Sequence, residues 1–265
     1  MNTFLIAAGG TVGAMLLGAW ALQLIARLGA PGRGVAEAFT RAPWLDLPIT
    51  YFTVLPLIVG PVWGGWLGLA GAVAGQVVSV LVWCWLHELA NLEAVRGPRI
   101  VRSLNRIVGR WRNHAAVWAT GVVLPVFWIV RMAQIFIYPL LSLLIGLPRY
   151  KHGEWVSVSR HKFSGLVGHD LVWCLYCDWM TGVWSLGTEM LRNVESFWCP
   201  IRFYDGKKCE NCKIDFPDID GGWVKAEGTM AEVVAVVEEK HSGNHHGWFG
   251  HPTRVTVKGK DIAAK

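Results

Sequence analysis

The sequence predicts a mainly α, polytopic helical membrane protein carrying a small cysteine-rich α+β soluble module. Three observations predict it. The stretch from Met1 to Val95 is nearly free of charge, the apolar blocks have the lengths of one or two membrane crossings, and five of the six cysteines follow those blocks. The 265 residues are 53% hydrophobic and 17% charged, with a mean hydropathy of +0.35. A soluble chain usually has about 25% charged residues. From Met1 to Val95 the charged residues are Arg27, Arg33, Glu37, Arg41, Asp46, Glu88 and Glu93, whereas beyond Lys151 both signs are frequent. The division therefore falls between a transmembrane region, 1–148, and a cytoplasmic cysteine-rich module, 149–265, with a flexible His-rich tail.

Phe4 to Ala26 suffices for one spanning helix at about 20 residues per crossing. It lacks a basic start and a small-residue cleavage pattern, so it reads as an uncleaved helix rather than a signal peptide. Arg27, Arg33 and Arg41 follow it, which places the amino terminus away from the cytoplasm. Trp44 to Leu89 is about twice one crossing, and GPVWGGW (Gly60 to Trp66) supplies a turn near its middle. A helical hairpin results, making about three spanning helices. Gly64/Gly68 and Gly71/Gly75 have the small-xxx-small spacing that lets helices approach closely.

Residues 98–112 have an amphipathic period. Arg99, Arg102, Arg106 and Arg110 share one stripe; Ile100, Leu104, Ile107, Val108 and Trp111 share another. That pattern predicts an interfacial helix, with guanidinium groups on anionic lipid headgroups and the apolar side in the acyl boundary. The arginines sit between two apolar blocks, so the net charge of +6 points to lipid and away from nucleic acid. Residues 114–147, broken by Pro125, Arg131 and Pro139, are too long for one upright helix and short for two. The reading is a short or re-entrant hairpin turning near Arg131, which returns the chain to the cytoplasmic side. A single tilted helix would put the cysteine module outside. The 16 tryptophans, among them Trp44, Trp111 and Trp155, suit headgroup level.

Two CxxC pairs, Cys174/Cys177 and Cys209/Cys212, have the knuckle spacing of a four-cysteine zinc site, with Cys199 as an alternative ligand. The spacer between the pairs is longer than usual and contains a helix around Trp184 to Val194. A closed four-thiolate zinc site is structural. An iron–sulfur cluster is the alternative cofactor, although the spacing lacks the ferredoxin runs. Cys84, inside an apolar run, reads as a small hydrophobe. His169 and Asp170 precede the first pair and could ligate or orient a ligand. His87 and Glu88, with Glu93 beyond, could form a proton or metal path. His152 and His161 read as interfacial side chains, and His241, His245, His246 and His251 as part of a loop. Asp215, Asp218 and Asp220 lack EF-hand spacing and read as turn acids. Thr229 to Lys240 predicts a helix with Thr229 and Glu232 at capping-box spacing; TRVTVK alternates like a strand.

No serine–histidine–acid set, phosphate loop or paired catalytic carboxylates stand out. The functional expectation is an accessory, scaffold or anchoring subunit of a larger complex in a bacterial-type inner membrane, bound to other subunits and anionic lipid. The alternative is an iron–sulfur or other metal-dependent redox membrane protein or enzyme.

Overall fold

The computed structural model describes residues 2–208 and 222–241. They divide into two compact units, one of residues 2–124 and 152–182, the other of 125–151, 183–208 and 222–241. Three helical stretches, Asn2–Arg27, Asp46–Ala90 and Arg110–Ile145, are long and apolar enough to cross a membrane. The chain is an integral membrane protein.

In the first unit, α1 (Asn2–Arg27) packs on α3 (Asp46–Thr53) and α4 (Leu55–Ala90). The 45-residue stretch from Asp46 to Ala90 is a hairpin, as its length requires. Helical geometry fails inside α4 at Gly64 and at Gly65, which takes φ +57 and ψ −144. An L side chain rarely adopts that conformation, and glycine does so without steric cost. The limbs 46–63 and 66–90 then run antiparallel. Gln76 Nε2 donates to the Phe52 and Thr53 carbonyls, both at 2.9 Å. Nearer the turn, Gly60 and Gly68 lie so close that a Cβ on Gly68 would run into the Gly60 carbonyl. Gly71 and Gly75 meet α1 at Ala7 and Thr11, so α1 runs parallel to the second limb, and Tyr51 bonds the Ala14 carbonyl at 2.6 Å. At about 1.5 Å rise per residue the two limbs span roughly 27 and 37 Å, one just under and one above a hydrocarbon core of about 30 Å.

The chain ends of this bundle that carry Arg27, Asp46 and Glu88 lie together, and the unit's remaining elements gather there. They are α2 (Gly29–Ala38), α5 (Leu92–Arg96), α6 (Ile100–Val108), α7 (Arg110–Gly121), α10 (His152–Trp155) and the first half of α11 (Gly168–Trp198). Segment 152–162 is tied to the end of α2 and to the segment that follows it. Ala42 N donates to the Val156 carbonyl at 2.9 Å, Val158 N to the Thr40 carbonyl at 2.8 Å, and Lys162 Nζ to Glu37 Oε1 at 3.1 Å. α7 lies along the start of α11, with Trp118 on Trp173 and the Tyr176 hydroxyl on the Thr120 carbonyl.

These contacts correct the expected turn at Arg131. The backbone breaks at Val122–Val123, and helix then continues through α8 (Leu124–Met132), a π-helical turn (Ala133–Ile137) and α9 (Tyr138–Ile145). Pro125 begins α8, where no intrahelical N–H is needed, and Pro139 follows the π turn, where its missing N–H fits a ladder already widened. Arg131 needs no turn because it is buried with a partner. Its Nη1 donates to Gln134 Oε1 at 2.9 Å, and Gln134 Nε2 donates to the Val183 carbonyl at 2.6 Å.

The second unit packs Val183, Leu186 and Met190 of α11 with Tyr138, Leu147, Trp223 and Val233 in its buried interior. Glu189, Arg192, Asn193 and Ser196 on the same helix are buried too. Asn193 Nδ2 donates to the Tyr150 and Tyr138 hydroxyls at 2.6 and 3.1 Å. α12 (Met230–Lys240) opens with the expected capping box, Thr229 with Glu232.

The expected α+β module is not supported. Among the described residues pairing is confined to isolated bridges, Arg41 with Ser157 and Ile201 with Val224, and the rest of the module is helix and loop. Apolar residues at Trp179, Val183, Leu186 and Met190 fall every three or four positions, which is a helical period, and α11 extends well beyond the short helix read from sequence. The predicted strand TRVTVK lies outside the described residues.

Candidate functional site

The densest polar cluster of the first unit lies where α4 ends and α6 and α11 begin. The chain leaves α5 through Gly97–Pro98, and Pro98 biases the residue before it toward extended backbone. Gly97 is extended accordingly, and Arg99, which caps the start of α6, is extended too, at φ −133 and ψ 135. Its side chain is 3% exposed. Nε donates to Asp170 Oδ2 at 2.7 Å; Nη2 donates to Glu88 Oε1 at 2.8 Å and to the Val167 carbonyl at 3.2 Å. The other Asp170 oxygen accepts Val101 N at 3.0 Å, which gives α6 an N-terminal cap from a residue far along the chain. A carboxylate there also meets the positive end of the helix dipole.

The partners are placed by backbone. Gly168 has φ +52, and any Cβ there would collide with the Glu88 carboxylate, so a glycine is required for α11 to start against α4. Its N–H donates to His87 Nδ1 at 3.2 Å, and the His169 N–H donates to Glu88 Oε1 at 3.3 Å. His169 Nε2 accepts from Trp173 Nε1 at 3.1 Å, leaving the ring proton on Nδ1, 4.0 Å from Asp170. The His114 ring stands edge-on to His169 at 5.0 Å.

Burial alone would push the Asp170 carboxyl up; His169 and Arg99 beside it and the Val101 N–H outweigh burial and hold it below its ordinary value. Burial likewise opposes the Arg99 charge, and the bonds to Asp170 and Glu88 more than restore it. Two carboxylates on one guanidinium support its charge where it is buried. This geometry suits a fixed joint between elements.

The sequence-predicted residues separate accordingly. Arg102, Arg106 and Arg110 are exposed, as are Ile107 (75%) and Trp111 (82%). Arg99 was expected on the same stripe for lipid, and the structure instead places it inside, paired. Cys174 and Cys177 stand one turn apart within α11, half-buried, not in a knuckle turn. Arg160 neighbours them, and its hydrogen bond to Cys177 raises the guanidinium pKa. Burial pushes the Cys174 thiol up despite that charge. Cys199 is exposed just past α11; Cys209 and Cys212 lie outside the described residues, as do Asp215, Asp218, Asp220, His245, His246 and His251. Among the described residues no group of three or more His, Cys, Asp or Glu side chains is arranged to hold a metal ion. Cys84 is buried in α4, and His241 packs on Phe197 at 4.8 Å.

Sequence reasoning missed the roles of Arg99, Gly168 and the Asp170 cap. The available signal was an arginine directly after Gly97–Pro98 and an acid in the first turn of a long helix. Comparison with family models, curated proteins and solved structures gives no match.

Proposed function

We propose that this chain is an accessory, anchoring subunit of a larger membrane complex, held to anionic lipid by α6 and offering its helical module to partner subunits. One observation carries the reading. α6 is locked at its start by Asp170 and Glu88 yet has no buried residue of its own. A short amphipathic helix held firmly at one end, with Arg102 and Arg106 on one side and Leu104 and Ile107 uncovered on the other, has the form of an interfacial anchor.

The module lies on the cytoplasmic side of a bacterial-type inner membrane. Supporting this, segment 152–162 and the start of α11 pack at the bundle end that bears Arg27, Arg33 and Arg41, the side that positive loops favour. Zinc is its structural metal. Cys174 and Cys177, three residues apart in a helix, project to one side and can share an ion; Cys209 and Cys212, or Cys199 in place of one, complete the shell.

Purification of the full chain from its native membrane in mild detergent tests the proposal. It is expected to bring down partner subunits in fixed ratio and one zinc per chain. A chain that emerges alone and free of metal contradicts it. Iron with visible charge-transfer absorption would replace the anchoring role with the redox one.

A further inference from the structure

We propose that the cleft between α1 and the second limb of α4 binds one anionic phospholipid, its phosphate held by Arg27 and the Nε2–H of His87. The cleft has a volume of about 550 Å³, within the range of small-ligand sites. Leu16, Trp20, Trp83 and Leu86 form its apolar walls, and Arg27 and His87 stand near its charged end. Because α1 and the second limb run parallel, both polar groups come at the same end of the groove, and the walls lead from them toward the membrane interior. Leu16 to Arg27 covers about 16 Å of helix at 1.5 Å per residue. That is close to one leaflet's share of a hydrocarbon core of about 30 Å.

The His87 ring is oriented for the task. Its Nδ1 accepts the Gly168 N–H at 3.2 Å, and Trp83 stacks on it at 4.7 Å. A neutral imidazole that accepts on Nδ1 carries its proton on Nε2, so the second nitrogen is a donor. A donor beside an exposed guanidinium suits an oxyanion, and phosphate is the oxyanion found at this depth of a membrane. A quinone head would satisfy the histidine and leave the arginine charge unanswered. This site is separate from the arginine stripe of α6.

Native mass spectrometry of the delipidated full chain, titrated with phosphatidylglycerol or phosphatidylcholine, tests the proposal. One phosphatidylglycerol is expected to bind more tightly than phosphatidylcholine. Arg27→Gln should weaken it roughly tenfold, as for loss of a charge-assisted hydrogen bond, and Ala19→Trp, which fills the cleft, should abolish it. Arg102→Gln with Arg106→Gln should leave this tight site intact. Unchanged binding in both cleft variants, equal binding of the two lipids, or a stoichiometric quinone in the purified chain would overturn the assignment. So would loss of the tight lipid in the Arg102/Arg106 variant alone, an outcome that would still agree with the anchoring role of α6. Should Ala19→Trp fail to fold, Arg27→Gln still decides, since Arg27 is exposed at the end of α1.

Discussion

Replacing Asp170 with alanine removes the residue that ties α11 to the start of α6. The lost groups are a 2.7 Å bond from Arg99 Nε and a 3.0 Å bond from Val101 N, made by a side chain that is 5% exposed. Removing one partner of a buried ion pair costs about 3–5 kcal/mol, because the other charge stays buried. Here Glu88 still holds Arg99 at 2.8 Å, which moves the expected cost to the lower end. The lost cap adds about 1 kcal/mol, for a total near 4 kcal/mol. Chemical unfolding of the full chain in detergent, followed by tryptophan fluorescence, measures it. Arg99→Leu combined with Asp170→Leu should cost less than the two single changes together, by about 2 kcal/mol for residues in one network. The pH dependence has a definite sign. The folded Asp170 pKa lies below its ordinary value of 3.8, so its contribution is complete above about pH 5 and fades as the pH falls through 4 toward the folded value. Asp170→Ala should therefore differ from wild type at pH 7 and pH 5, and progressively less below pH 4. A cost under about 1 kcal/mol, or strict additivity in the cycle, would refute a coupled buried joint.

Gly68→Val should destabilise the hairpin by about 1–3 kcal/mol, the usual cost of overpacking. Gly9→Ala, where a Cβ meets nothing within 4 Å, should be neutral or slightly stabilising; detergent melts compare the two. Cys174→Ser with Cys177→Ser should abolish bound zinc in elemental analysis while circular dichroism keeps the helicity of α11. Thr229→Ala removes the capping box of α12 and should cost about 1 kcal/mol, read as faster amide exchange in its first turn.

The membrane bundle was legible because lipid imposes simple constraints. Block length dictated two limbs between Asp46 and Ala90, and Gly64–Gly65 marked the turn that Gly60 and Gly68 allow to close tightly. The α12 capping box was equally local, since Thr229 and Glu232 are three residues apart. The rest depended on distance in sequence. Arg99 fits the arginine stripe by periodicity, and nothing nearby reveals that Asp170 and Glu88 draw it inward. Arg131 resembled a turn residue because a lone arginine in an apolar block is costly; burial with Gln134 removes that cost. The CLYC pair looked like a knuckle because spacing in a turn and spacing in a helix are identical on paper.

The central claim is that α6 is an interfacial anchor. A nitroxide introduced at position 107 or 106 of the full chain in anionic bilayers, probed by collision with oxygen and with a water-soluble nickel complex, tests it most directly. Position 107 is expected to be oxygen-accessible at acyl depth, and position 106 nickel-accessible at the headgroups. Equal nickel access at both positions, or shielding of both from either reagent, would contradict it.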